Sequence, residues 1–343
     1  MADKTRIVFA FAGWPVEAPA VRHLVEAEGD EVVTLTLDLG QGQDLDGVRE
    51  AALEAGAVRA HVMDVRDALA LEFLLPALKA CGAQQGGVPL GRELRLAAVV
   101  KSLVEVAAME NATFLAHGGG HDDTSLHAQL EELAQTARPG TGGFVWPASL
   151  MDLDAAEAAE ARALAPSVSI VGREQRLAPH AEIAPRLYRV TRERSATPET
   201  PATLELAFEA GTPVSVNGVR LPFIELLDSL DTIVGVHGVG RFDGLSGPYS
   251  AAYDAAARHV GEAPAVIVLG LAYDALERRL WPAELVDLKQ QQAIAFRSLV
   301  RRGKWFSPTR RAISAFVGDA QQSLTGSVRL ELFKGACRVK PDA

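Results

Sequence analysis

Residues 7–26, IVFAFAGWPVEAPAVRHLVE, run from an apolar strand through a glycine turn into an amphipathic stretch. This is the order in which a strand, a loop and a helix N-terminus cradle a phosphate. The loop itself, Phe11 to Ala18, is poor in the groups such a cradle uses. It offers one glycine, Gly13, no hydroxyl and no cation, and it carries an acid, Glu17. Trp14 adds bulk where backbone would approach phosphate, and Pro15 has no N–H to give. A second stretch, HGGGHDDTSLH at 117–127, gathers His117, His121, Asp122, Asp123 and His127. Histidine with carboxylate suits zinc or manganese. No His-x-x-x-His pair with a general-base glutamate stands inside a clear helix, so no metal is expected, and His121, Asp122 and His127 are the only candidates for ligands. Arg92 and Arg95, at the start of a predicted helix, could hold a carboxylate or phosphate, or form surface ion pairs. Ser125 and Ser246 sit in no Gly-x-Ser-x-Gly elbow and do not read as nucleophiles.

The elements around these residues set where they can meet. In the first half, strand-like runs alternate with helical patterns: RIVFAFA, a helix near 16–29, EVVTLTLDL, a helix near 44–55, VRAHVMDV, a helix over 66–80, a long helix over 91–110, then ATFLAHG. That alternation predicts an α/β fold with an open parallel sheet covered by helices on both faces. Ligands of such sheets sit beyond the carboxyl ends of the strands. Three loops fall there: the opening loop, DLGQGQD at 38–44, and AHGGGHDD at 116–123. The second half reads as α+β. A helix is expected near 154–165, and an irregular, proline-containing connection over 178–202. TLELAFEAGTPVSVNGVRL reads as a hairpin turning at Asn217-Gly218, a long helix covers 282–302, and TGSVRLELFKGACRV reads as a terminal strand pair.

Bulk properties narrow the classes. With 48% hydrophobic residues the chain can bury sizeable cores, and its 343 residues fit two domains of ordinary size. A net charge of −10 argues against non-specific attraction to nucleic acid. Two cysteines far apart, Cys81 and Cys337, argue against a disulfide framework. No stretch approaches a membrane span and the first residues lack a leader's apolar region, so a cytoplasmic protein without membrane contact is expected.

Seven segments in order, DLGQG, VPLGRELRLAAVVKSLVEVA, LAHG, GVHGVGRFD, GEAP, KWFSPTRRAISAFV and TGSVRLELFKGACRV, together resemble argininosuccinate synthase across almost the whole chain. The resemblance implies a nucleotide-binding domain of the adenine-nucleotide α-hydrolase-like (PP-loop/HUP) type over 1–165 and a synthetase domain over 166–343. It also implies a family activity in which ATP adenylates the ureido oxygen of citrulline, and the aspartate amine then displaces AMP. The vestigial nucleotide crevice comprises Ala12, Gly13, Trp14, Asp38, Gln41 and Gly118. Substrate contacts fall to Arg92, Arg95, His121, Thr124, Ser125 and Ser246.

This sequence departs from the family pattern at most of these contacts. The family's loop, S-G-G-x-D-[TS]-S, reads Ala12-Gly13-Trp14-Pro15-Val16-Glu17-Ala18 here. In A-H-G-x-T-G-K-G-N-D-Q-x-R the Thr is Gly120, the Lys is Asp122, the Asn-Asp pair is Thr124-Ser125, and the Arg is Ala128. The Tyr, Thr and Arg of Y-P-L-G-T-x-L-x-R are Val88, Arg92 and Leu96. In the synthetase domain a Glu is Ser246, and the Tyr before E-A-P is Gly261. These replacements lead to the expectation of a pseudoenzyme without cofactor, binding a small molecule in the inter-domain crevice or pairing with a protein partner. The alternative is a working ATP-dependent C–N ligase using ATP and Mg, with Arg92, Arg95, His121 and His127 as rebuilt contacts. The sequence ends near the position where the family's C-terminal arm begins, so a homodimer or monomer is expected rather than a tetramer.

Overall fold

A computed structural model describes residues 5–14, 17–26, 28–82, 89–118, 124–137, 144–145, 167–177, 180–183, 187–245 and 258–341. The helix expected near 154–165 lies outside them. Two compact units divide the chain: residues 1–66, 95–165 and 302–307 form one, and 67–94, 166–301 and 308–343 the other. Residues 67–94 precede position 165 in sequence, yet they pack with the second unit.

The first unit is built on a parallel sheet in the order β3-β2-β1-β4-β5. Its central strand β1 (Arg6–Ala10) pairs with β2 (Glu31–Asp38) and β4 (Phe114–His117). The edges are β3 (Arg59–Asp64) and β5 (Phe144–Val145). Ile7, Val8, Phe9 and the run from Val32 to Leu37 are buried, as expected of parallel strands covered on both faces. Helix α1 (Glu17–Glu26) buries Ala20, Val21 and Leu24, the spacing of one helical face. Helix α2 (Leu45–Glu54) buries Val48 and Ala52, and Asp44 caps it by accepting from the Gly47 N–H. Both apolar faces join Ile7, Phe9 and Phe11 in one core. All four strands expected from alternation are present: β1, β2 and β4 are largely buried apolar runs, and β3 is an edge strand with no fully buried residue.

The helix expected over 66–80 forms as α3 (Arg66–Ala68), a π-helical stretch (Leu69–Leu74) and α4 (Leu75–Cys81) in direct succession. The looser π turn admits Pro76 at the start of α4 without a break. Helix α5 (Gly91–Glu110) spans the predicted 91–110, and α6 (Thr124–Ala137) follows β4.

In the second unit, one antiparallel sheet runs β10-β9-β8-β13-β14, and another is formed by β6 (Ser167–Ser169), β7 (Gly172–Leu177), β11 (Arg241–Leu245) and β12 (Arg258–Glu262) in the order β11-β12-β7-β6. The predicted hairpin is a three-strand meander: β8 (Ala202–Glu209), β9 (Thr212–Val216) and β10 (Val219–Arg220). Asn217-Gly218 makes the second turn with φ of 49° and 82°, and Ala210-Gly211 makes the first with φ of 46° and 69°. Alanine is an unusual residue at positive φ, so no turn signal marked it. Strands β13 (Gly326–Phe333) and β14 (Ala336–Val339) are the predicted terminal pair. Leu204, Leu206, Phe208, Val328, Leu330 and Leu332 form the buried face of the meander sheet.

Four helices complete the unit: α7 (Phe223–Val236), α8 (Pro264–Leu280), α9 (Ala283–Arg301) and α10 (Pro308–Gln321). Of these only α9 was legible as the helix over 282–302. Among them lies a buried polar cluster. Lys289 Nζ donates to Glu277 Oε2 at 2.9 Å, and Gln321 Nε2 donates to Glu277 Oε1 at 2.9 Å, with all three residues nearly inaccessible. The Tyr273 hydroxyl donates to the Gly211 carbonyl at 2.6 Å, tying α8 to the first meander turn. No described helix is long and apolar enough to cross a membrane.

Asp231 on α7 accepts from the Ala265 N–H at 2.8 Å and so caps the first turn of α8. Burial, with Asp228 and Glu262 nearby, pushes its carboxyl from the ordinary 3.8 up to about 7. A carboxyl raised in the folded state adds stability that is full below its unfolded pKa and is lost as pH rises through about 7. Asp231→Asn keeps an acceptor without the charge. Its stabilising effect, read by urea denaturation, should therefore grow by about 2 kcal/mol between pH 5 and pH 8.

Candidate functional site

The opening loop leaves β1 at the carboxyl edge of the parallel sheet and enters α1. Phe11 is the last core residue: its N–H donates to the Leu35 carbonyl at 2.9 Å, and its own carbonyl accepts from Thr36 Oγ1 at 2.8 Å. Beyond it Ala12 and Gly13 are exposed. The backbone turns at Gly13 with φ of 82°. A Cβ there would stand 2.8 Å from Val48 Cγ2 and 2.9 Å from Gln43 Nε2, so α2 and the loop before it close directly over this turn. Gln43 Nε2 also donates to the Ala12 carbonyl at 3.0 Å.

The centre of the loop is Glu17, the first residue of α1 and 4% exposed. Its Oε2 accepts the Ala12 N–H at 2.7 Å and the Trp14 N–H at 3.0 Å. Its own N–H donates to the Trp14 carbonyl at 2.9 Å. A carboxylate at a helix N-terminus, holding backbone N–H groups, occupies the place where such loops present those groups to an external anion. Gly118 closes the other side: a Cβ at 118 would lie 2.3 Å from Glu17 Cγ. Glycine is required there because the Glu17 stem rests on its backbone.

The other candidate residues serve the scaffold as placed. Trp14 is half-buried and packs against the core of Ile7, Phe9, Phe11 and the α1 and α2 faces. Asp38 Oδ1 accepts the Gly40 N–H at 2.8 Å. Gln41 uses both ends of its amide on its own loop, accepting from the Leu39 N–H at 2.7 Å and donating to the Leu37 carbonyl at 2.8 Å. Gly40 and Gly42, both at positive φ, complete that turn. The DLGQG motif is thus a self-bonded turn. On α5, Arg95 is buried and Arg92 half-buried. His121, Asp122 and Ser246 lie outside the described residues. Thr124, Ser125 and His127 fall in α6, but their side chains are not among those described. Among the described residues no group of histidine, cysteine and carboxylate side chains could hold a metal. Burial pushes the Cys81 thiol up to about 11 and the Cys337 thiol up to about 12, which leaves both weak nucleophiles at neutral pH.

ATP and Mg would need the loop's N–H groups free and cationic or hydroxyl ligands beside them. Both N–H groups are already donated to Glu17, and the loop supplies neither kind of side chain. The residues present do not fit the polyphosphate.

A second polar cluster lies in the other unit, and the GEAP and GVHGVGRFD segments noted in the sequence supply its Glu262 and Arg241. Glu262, 1% exposed on β12 (Arg258–Glu262), accepts four bonds. Its Oε1 takes the N–H groups of Arg189 and Val190 at 2.7 and 3.0 Å, and its Oε2 takes the Thr191 N–H at 2.8 Å and the Thr191 hydroxyl at 2.7 Å. Arg241 donates through Nε to the Thr191 hydroxyl and through a terminal nitrogen to the Thr191 carbonyl, and stacks 4.0 Å from the Tyr188 ring centre. Gly261 is enclosed. A Cβ there would lie 2.1 Å from the Arg173 carbonyl and 2.5 Å from Phe242 Cζ, so the ring of the facing strand covers the space a side chain at 261 would take.

A five-strand parallel sheet with a glycine turn into a helix, followed by a unit of helices and antiparallel sheets, defines a HUP-type nucleotide-binding fold with a synthetase-type second domain. Residues 6–136 match the arginosuccinate synthase N-terminal HUP domain, and residues 174–342 the arginosuccinate synthase C-terminal domain. Similar proteins include the argininosuccinate synthases of Dehalococcoides mccartyi, 31% identical over 97% of this chain and 85% of that protein, and of Bacillus thuringiensis, 32% identical over 97% and 86%. That of Synechococcus elongatus is 31% identical over 99% and 88%. The chain belongs to the argininosuccinate synthase family.

Glu17→Ala removes two charge-assisted hydrogen bonds, and water reaches the exposed Ala12 N–H in compensation, so the cost by urea denaturation should be about 2 kcal/mol. Gly118→Ala pushes against the Glu17 stem and should also destabilise wild type. It should cost clearly less in the Glu17→Ala background, because the clash is gone.

Proposed function

We propose that this chain is a family member that has given up the ATP-dependent joining of citrulline to aspartate. In its place it acts as a binding protein, taking a small molecule at the carboxyl ends of the first unit's strands or pairing with another protein. The observation that carries this reading is the Glu17 carboxylate on the Ala12 and Trp14 N–H groups. An incoming pyrophosphate would have to displace a buried internal anion and then meet its charge at close range. The loop offers no lysine, arginine or hydroxyl to offset that cost. Charge reversal at Asp122 and loss of the hydroxyl at Gly120 point the same way for the amino-acid substrates.

A second reading is an active ATP-dependent C–N ligase with rebuilt contacts. It is favoured by the extent of the likeness to proteins named argininosuccinate synthase, which runs over 97% of this chain. Arg92, Arg95, His121 and His127 would then supply the missing donors.

Calorimetric titration of MgATP, and separately of pyrophosphate, into the purified chain separates the two. The binding-protein reading expects no saturable heat up to a few millimolar, on the order of the weakest specific affinities. It also expects weak pyrophosphate binding to emerge in Glu17→Ser, which frees both N–H groups. Micromolar binding of MgATP by the wild-type chain would discard this reading in favour of the ligase.

A further inference from the structure

The antiparallel pairing of β7 (Gly172–Leu177) with β12 sets Arg173 directly opposite Glu262. Such a pair normally forms an ion pair. Here it does not, because Glu262 is saturated. A carboxylate has about four lone-pair positions, and all four are taken by the backbone and hydroxyl of residues 189–191. Arg173 Nε is buried without a hydrogen-bond partner. Neither the Arg173 nor the Arg189 guanidinium makes a hydrogen bond or ion pair among the described residues.

The neighbourhood offers no relief. Arg241 is engaged by Thr191 and Tyr188, and Arg258 is engaged by Asp243 through two bonds. Glu262, the carboxylate opposite Arg173, has no lone-pair position left for it. Burial first, and then the Arg189 charge, disfavours the charged form of Arg173, and the charge of Glu262 offsets this only in part. The Arg173 guanidinium is half-buried with its Nε donor buried and unmet, and a buried donor left unmet calls for a partner. Nothing among the described residues pins the Arg173 fork, so it can turn its Nε edge toward an oxyanion held jointly with Arg189.

We propose that Arg173 and Arg189 form a binding site for the carboxylate or phosphate group of a small anionic ligand. The planar fork of arginine matches both groups in bidentate fashion, which lysine does not. Glu262 orders the site without competing for its cations: by holding the backbone of 189–191 it fixes where Arg189 leaves the chain. The loop around Glu17 takes no part.

The test is calorimetry on the full chain at low ionic strength, with sodium phosphate and sodium succinate as separate titrants. Wild type should bind at least one of them saturably at millimolar concentration or below, and the stronger of the two identifies the ligand's anionic group. Arg189→Gln changes an exposed side chain and should weaken that binding ~10-fold or more, as should Arg173→Gln. An absence of saturable binding of either anion up to about 20 mM overturns the proposal. So does wild-type affinity retained in Arg189→Gln, a variant whose fold is checked by its unchanged thermal melt.

Discussion

Backbone N–H groups that point away from water must find an acceptor, and in this chain carboxylates supply it at the points where loops meet regular structure. Glu17 takes Ala12 and Trp14, Asp38 takes Gly40, Asp231 takes Ala265, and Glu262 takes three successive residues of the 189–191 segment. The bonds to Glu17, Asp38 and Glu262 are charge-assisted and partly or fully withdrawn from water, so each fixes a loop more firmly than a neutral bond would. The consequence differs with location. At Asp38, Asp231 and Glu262 the carboxylate orders a connection. At Glu17 it also occupies two of the backbone donors of the opening loop.

That distinction bears on why some family motifs persist while the contacts around them change. DLGQG closes on itself through Asp38 and Gln41. In GVHGVGRFD, a Cβ at Gly235 would lie 2.5 Å from the Val190 carbonyl and one at Gly240 2.5 Å from the Pro264 Cα, so both glycines are demanded by close backbone approach. GEAP carries Glu262. In KWFSP, Trp305 is buried. Each of these segments makes contacts within the fold that do not depend on a bound substrate.

The first unit was legible because a parallel sheet covered on both faces writes itself as apolar runs separated by amphipathic helices. The second unit was less so. Helix α8 opens PAVIVLG, a β-branched run whose length alone does not separate strand from helix, and α7 follows directly on Pro222 without a polar cap. The turn at Ala210-Gly211 carried no signal beyond its glycine, whereas Asn217-Gly218 did. Candidate residues read from the loops were a different matter. The sequence exposed an acid at position 17 and a tryptophan at 14, and both could be read as obstacles to phosphate. It did not reveal that Glu17 turns inward, because the direction of one side chain depends on Gly118, which is distant in sequence and adjacent in space.

An acid that merely repelled phosphate would be expected to point into solvent, where hydration lowers its energy. Glu17 is instead 4% exposed and bonded twice to the loop, with its stem packed on a glycine. Burial of a carboxylate is tolerated only where donors replace its water, and here the donors are the Ala12 and Trp14 N–H groups of the opening loop. The geometry by which such loops hold phosphate therefore also makes this one a stable seat for its own glutamate. Gly118 fits the same account, as a site in which any larger residue would unseat the stem.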